Sequence, residues 1–182
     1  MVKILTDVLK ETQTNISKCL SSSNICGKDL REAHYYLGKR LGIQIESDIN
    51  LIGMNIGILV MMRAGLPFGI GLADQLEENN NVDILFSSST DIDFTKYDYV
   101  IIADAVINTG KTILEIINHI DFKKVIIATS VISEKYIDNF DNLDTYAVRI
   151  SSNSFKGSKV KTVSKGRGPD TGDRLFSSTF YN

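Results

Sequence analysis

Residues 99–117 read YVIIADAVINTGKTILEII. The first five are apolar, and most are β-branched or aromatic, as in a strand covered on both faces of a parallel sheet. Asp104 ends the run with a carboxylate at the strand's carboxyl end, where open α/β sheets hold their ligands. Asn108, Thr109, Gly110, Lys111 and Thr112 follow, and Ile113, Ile116 and Ile117 then take up helical spacing. The first N–H groups of a helix have no partner within it and carry partial positive charge, so they attract phosphate. Gly110 lets the main chain approach an anion, and Thr109 and Thr112 bring hydroxyl donors. The run is therefore expected to be a strand, a phosphate-binding loop and a helix, with an acid beside the phosphate.

Outward from it, the chain alternates strand and helix patterns. Apolar strands are expected at 55–62, 82–86, 124–131 and 145–150. A helix is expected at 68–76 after the turn 62–67, and a short one at 133–140. This alternation predicts an α/β fold with an open, mainly parallel, doubly wound sheet. Before the sheet, Ile4, Leu5, Val8, Leu9, Thr12, Ile16 and Leu20 share one face of a helix expected over 1–20. A second helix is expected over 28–46, with Leu30, Ala33, His34, Leu37, Leu41 and Ile45 on one side, weakened somewhat by Gly38 and Gly42. We expect one domain over 1–182: a helical arm at 1–46, a core at 55–150 and a polar C-terminal segment at 151–182.

The 182 residues suffice for a core of their own, and 43% are apolar. Twenty basic against 22 acidic residues leave a net charge of −2. That balance offers no general attraction for nucleic acid or anionic lipid, so any anion site must be local. No run has membrane-spanning length and the N-terminus has no secretory pattern, so a cytoplasmic protein is expected. Cys19 and Cys26 lack the spacing of a metal site and read as free thiols.

Two further segments carry chemistry. Arg63-Ala64-Gly65 follows the first strand, at the same sheet edge as Asp104; a guanidinium presented there can grip a diphosphate through two parallel hydrogen bonds. Residues 166–176, GRGPDTGDRLF, combine three glycines and a proline, a backbone path able to offer bare polar groups to a flat ligand. Taken singly, the first also reads as a surface ion pair and the second as a glycine-rich turn with an Asp173–Arg174 charge pair.

Two families fit the phosphate loop. AVINTGKT at 105–112 satisfies the P-loop pattern with Ala for the first Gly. A nucleotide hydrolase, however, carries its loop after the first strand and an acid at a strand end for Mg²⁺; here the loop follows the third strand, and 124–131 contains no Asp. With Asp104 included, the loop resembles that of the type I phosphoribosyltransferases, which bind phosphoribosyl diphosphate (PRPP). Together MMRAGLPFGIG, Asp104-Ala105 through Thr109-Gly110, and Thr171-Gly172-Asp173-Arg174-Leu175-Phe176 resemble the uracil phosphoribosyltransferases, from about Leu30 to the C-terminus. The single acid at Asp104, followed by Ala105, separates the loop from the hypoxanthine and orotate enzymes.

The resemblance implies a cytoplasmic transferase of pyrimidine salvage that forms UMP and diphosphate from PRPP and uracil with Mg²⁺. Arg63, Asp104 and Asp170 would be its catalytic residues. Arg63, Ala64 and Gly65 would hold the diphosphate, and Asp104 the ribose hydroxyls. Ala105, Val106, Ile107, Asn108, Thr109, Gly110, Lys111 and Thr112 would bind PRPP, with 108–112 around its 5′-phosphate. Ser164, Pro169, Asp170 and Thr171 would meet uracil. Asp170 would also face PRPP and its Mg²⁺, which the substrate's oxygens would mainly hold. A homodimer or higher homo-oligomer is implied too. This chain departs from the family in a short segment at 87–95 without the family's Arg and lid, in Lys111, in Pro169 for glycine and in Ser164 for an apolar residue. A PRPP- or nucleotide-binding regulator with little catalysis is the alternative these departures leave.

Overall fold

A computed structural model describes residues 1–89, 92–152 and 170–176. Six strands form one sheet: β1 (Lys3–Ile4), β2 (Asn55–Val60), β3 (Asn81–Phe86), β4 (Tyr99–Ile107), β5 (Val125–Ser133) and β6 (Asp144–Ser151). The order is β1-β6-β5-β4-β2-β3 and every pairing is parallel, which realises the expected α/β class. Helices are α1 (Lys10–Cys19), α2 (Gly27–Asp48), α3 (Gly65–Leu76), α4 (Lys111–His119) and α5 (Thr171–Phe176). Short 3₁₀ segments at Phe94–Lys96 and Glu134–Phe140 complete the connections.

Two apolar clusters cover the two faces of the sheet. Leu37, Leu41 and Ile45 of α2 and Phe68 and Leu72 of α3 meet Ile58, Ile101 and Ile126 on one face. Ile113 of α4 and Phe140 meet Val100, Ile102 and Ile127 on the other. Central strands buried on both sides explain the near-continuous apolar runs of β4 and β5. From β2 the chain moves outward to β3, whereas from β4 it moves the opposite way to β5 and β6. The switch point of the topology thus lies between β2 and β4, where doubly wound sheets open a crevice at the strands' carboxyl ends.

The N-terminus differs from expectation. Lys3 and Ile4 pair with Tyr146 and Ala147 as edge strand β1, and α1 begins only at Lys10. Val2 and Leu5 are buried, while Val8 and Leu9 are exposed. The free edge of β6 satisfies backbone groups that a helix would have satisfied internally, and the apolar positions serve either period. Gly38 and Gly42 also play another part than the weak points expected of them. A Cβ on Gly38 would lie 2.1 Å from the Phe68 carbonyl oxygen, and one on Gly71 would lie 2.0 Å from that of Tyr35. These glycines let α2 and α3 approach backbone to backbone.

Candidate active site

At the switch point the strand β2 runs into Met61 and Met62, and Met61 N–H donates to the Ala103 carbonyl of β4 at 2.9 Å. The chain turns at once into α3, with Gly65 N–H donating to Met61 O at 2.9 Å. A Cβ on Gly65 would stand 2.5 Å from Ala103 O. Gly65 is therefore what allows the turn to close over the end of β4, and its N–H is already engaged. Arg63 is carried at the tip of the turn, after a cis Met62–Arg63 peptide bond.

Strand β4 runs four residues past the expected end, so Asp104 lies within it and Ile107 closes it. Asp104 is only partly exposed, toward a cavity. Burial raises its carboxyl to about 7, against the opposing pull of the Val106 and Ala105 N–H groups. Gly110 (φ 69°) is the left-handed residue that ends the loop and caps α4 without a side chain. A Cβ there would meet the Phe140 ring at 2.2 Å, so glycine is required on two counts. Thr109 Oγ1 accepts from Lys111 N–H at 3.4 Å, and Lys111 Nζ turns outward to Glu115 at 3.7 Å.

The third segment closes the cavity. Asp170 Oδ1 accepts from Asp173 N–H at 2.7 Å, a helix cap that starts α5. Asp173 Oδ1 accepts from Arg63 at 2.9 Å, which ties α5 to the first turn. Arg174 points the other way. It is 1% exposed, and its guanidinium donates to Ser23 Oγ at 3.2 Å and Ile25 O at 3.0 Å in the α1–α2 connection. The Asp173–Arg174 pair of the alternative reading does not form, because adjacent helical side chains diverge.

One cavity of about 430 Å³ results. Of the residues expected to bind PRPP, Arg63, Ala64, Asp104, Val106, Ile107, Asn108, Thr112 and Asp170 line it, as does Thr171 from the base segment. Gly65, Ala105, Thr109, Gly110 and Lys111 do not: Ala105 is buried in the sheet, the two glycines shape the backbone, and Lys111 faces solvent. Ser164 and Pro169 lie outside the described residues.

A protein-family model described as uracil phosphoribosyltransferase matches residues 41–178, well over half of the chain. The chain belongs to the uracil phosphoribosyltransferase family. The match runs from α2 through all three loops of the cavity. Among solved structures, the AQ2163 protein from Aquifex aeolicus is similar with a TM-score of 0.72 at 17% identity, over 97% of this chain and 98% of its own. TT1426 from Thermus thermophilus gives 0.50 at 11% identity, over 69% and 86%. A hypoxanthine phosphoribosyltransferase from Staphylococcus aureus gives 0.49 at 16% identity, over 69% and 77%. At such identities the likeness concerns the fold. No curated protein matches the sequence.

The sequence motifs leave out part of the cavity wall. Cys19, Ser133, Arg149 and Arg174 also line the cavity. Arg149 had a signal: like Asp104, it is a charge near the carboxyl end of an apolar strand. Burial pushes the Cys19 thiol up to about 12, so it stays protonated. Among the described residues no group of three acidic, His or Cys side chains could cage a metal. Asp104 and Asp170 do share the cavity, and hard carboxylate oxygens suit a Mg²⁺ that keeps its waters and arrives on a diphosphate. No described helix is long and apolar enough to cross a membrane.

Proposed function

We propose that this chain transfers the phosphoribosyl group of PRPP to a nucleobase, with uracil, the base of its family, as the first acceptor to test. What supports the reading is the convergence of Arg63, Asp104, Asn108, Thr112 and Asp170 on one cavity at the topological switch point. Arg63 would hold the diphosphate, Asp104 the ribose hydroxyls, and the start of α4 the 5′-phosphate. In the reaction the bond from the anomeric carbon to the diphosphate oxygen breaks, and its electron pair leaves with diphosphate. A ring nitrogen of the base bonds to that carbon and gives up its proton to solvent. Catalysis then needs positioning and neutralisation of the leaving group, not a covalent nucleophile. Mg²⁺ bound with PRPP would supply further charge stabilisation to diphosphate, and Asp104 and Asp170 are the carboxylates that would hold its water shell.

The pairing of Arg63 with Asp173, together with the short 87–95 segment, favours a second reading, a PRPP or nucleotide binder without turnover. Incubating the protein with PRPP, Mg²⁺ and a panel of bases separates the two. Nucleotide and diphosphate in equal amounts support transfer. Saturable PRPP binding without product for any base supports the binder, and absence of both defeats the assignment.

A further inference from the structure

The cavity has a wall that PRPP binding leaves unused. β5 and β6 end on it, and they present Val131, Ser133, Arg149 and Ser151. Registered pairs step from Asp104–Thr129–Ala147 to Val106–Val131–Arg149, passing over Ala105, Ser130 and Val148. Beyond that row the alternation shifts by one. Ile102 and Ile127 belong to the α4-side cluster, and so do Ile107 and Ile132. Val106, Val131 and Arg149 are thereby turned toward the cavity. Arg149 stands two strands from β4, or about 10 Å at ~4.8 Å per strand.

Arg149 is half-buried, and among the described residues it forms no hydrogen bond and no ion pair; Asp104 and Asp170 share the cavity without pairing with it. Burial lowers its guanidinium from the ordinary range, and no carboxylate is among the groups that act against this. Two pairs further along the ladder, opposite Ser151, Ser133 is 2% exposed, and its Oγ has no partner among the described residues. Arg174 adds a second positive charge to the same wall, and burial, followed by the two arginines, disfavours protonated His34. A partly desolvated guanidinium and an unpaired hydroxyl on one cavity wall are costly unless a ligand completes them. Its fork matches a carboxylate, with the hydroxyl as a third donor.

The expected anionic ends of PRPP lie elsewhere, at the Arg63 turn after β2 and at the start of α4. Arg149 instead lies across β5 from β4, in the same cavity as Thr171 of the segment expected to meet the base. We propose that Arg149 and Ser133 form an acceptor-side anion subsite, and that the base this chain takes carries a carboxylate or an equivalent anionic group on its ring, although its phosphate loop has the single acid that sets it apart from the orotate enzymes. The inference rests on the phosphoribosyl-transfer reading and refines its acceptor.

The test separates the two. Calorimetry of the full chain with PRPP and Mg²⁺ first establishes the donor site; no binding there ends both readings. Uracil, its 6-carboxy derivative and carboxypyridine are then compared, as ligands of the protein holding Mg²⁺ and diphosphate and as acceptors with PRPP. We expect a carboxylated ring to bind at least tenfold more tightly than uracil. Arg149→Gln should abolish that preference and leave PRPP affinity within twofold; Arg149→Lys should retain part of the preference. Equal or tighter binding of uracil by the wild type overturns the proposal and leaves the transfer reading standing. A tenfold loss of PRPP affinity in either variant also overturns it, since Arg149 would then belong to the donor site. Should Arg149→Gln unfold, the wild-type comparison and Arg149→Lys still decide.

Discussion

Asp104, partly exposed to the cavity, and buried His34 carry shifts that make stability depend on pH in opposite directions. The Asp104 carboxyl rises from 3.8 to about 7 through burial. Between those values the folded chain keeps a proton that the unfolded chain has released, so stability declines as pH rises through this window. Asp104→Asn should therefore be the more stable protein at pH 8, by about 2 kcal/mol once exposure to the cavity is discounted from ~1.4 kcal/mol per pKa unit. The difference should vanish near pH 4, as urea denaturation at both pH values can show; a wild type more stable at pH 8 would contradict it. His34 falls from 6.5 to about 3, mainly through burial and then through Arg174 and Arg149. Here the unfolded chain takes up the proton first, so stability is lost as pH falls below about 6.5. In melts between pH 7 and pH 4, His34→Leu should gain stability relative to the wild type as pH falls; a difference that does not change with pH would show that His34 has no such part.

Elements were legible in the sequence where local pattern and tertiary need agree. The apolar run of β4 and β5, with a turn and helix between them, has one reading, and the fold has that reading. Residues 1–20 have two. Their apolar positions suit a helix, but the open edge of β6 lies more than a hundred residues away in sequence, and local periodicity cannot register it. The α2–α3 contact failed to show for a similar reason: glycine counts against a helix locally, while its value here is the space it leaves for another backbone. Gly71→Ala would drive a methyl into the Tyr35 carbonyl. Overpacking of this kind costs typically ~1–3 kcal/mol, and here the obstacle is backbone. We expect a loss of at least ~2 kcal/mol in chemical denaturation; a loss below ~0.5 kcal/mol, the scale of surface substitutions, would mean the two helices separate freely.

Over the whole molecule, the cavity is built by parts distant in sequence, and the cross-ties among them were the least legible feature. The GDR motif gave its residue types but not its partners: Asp173 reaches the Arg63 turn, and Arg174 reaches the α1–α2 connection. Arg149 escapes a search for motifs in loops, because it sits in a strand. Arg174→Ala would leave the carbonyls of Ser23 and Ile25 without this donor and release α5 from the helical layer. Removal of one side of such a buried charged cluster costs about 3 kcal/mol. It should also weaken diphosphate binding several-fold, because Asp170 is held at the start of α5. Calorimetry and thermal melts on one preparation would reveal the pair of effects; destabilisation without weaker binding would mean that α5 does not shape the site.

A structure of the protein crystallised with PRPP and Mg²⁺ tests the shared cavity most directly. Density for one PRPP molecule should place diphosphate at Arg63, ribose hydroxyls against Asp104 and the 5′-phosphate at the start of α4, with the Arg63–Asp173 pair opened. Density for PRPP away from this crevice, or touching only one of the three loops, would contradict it.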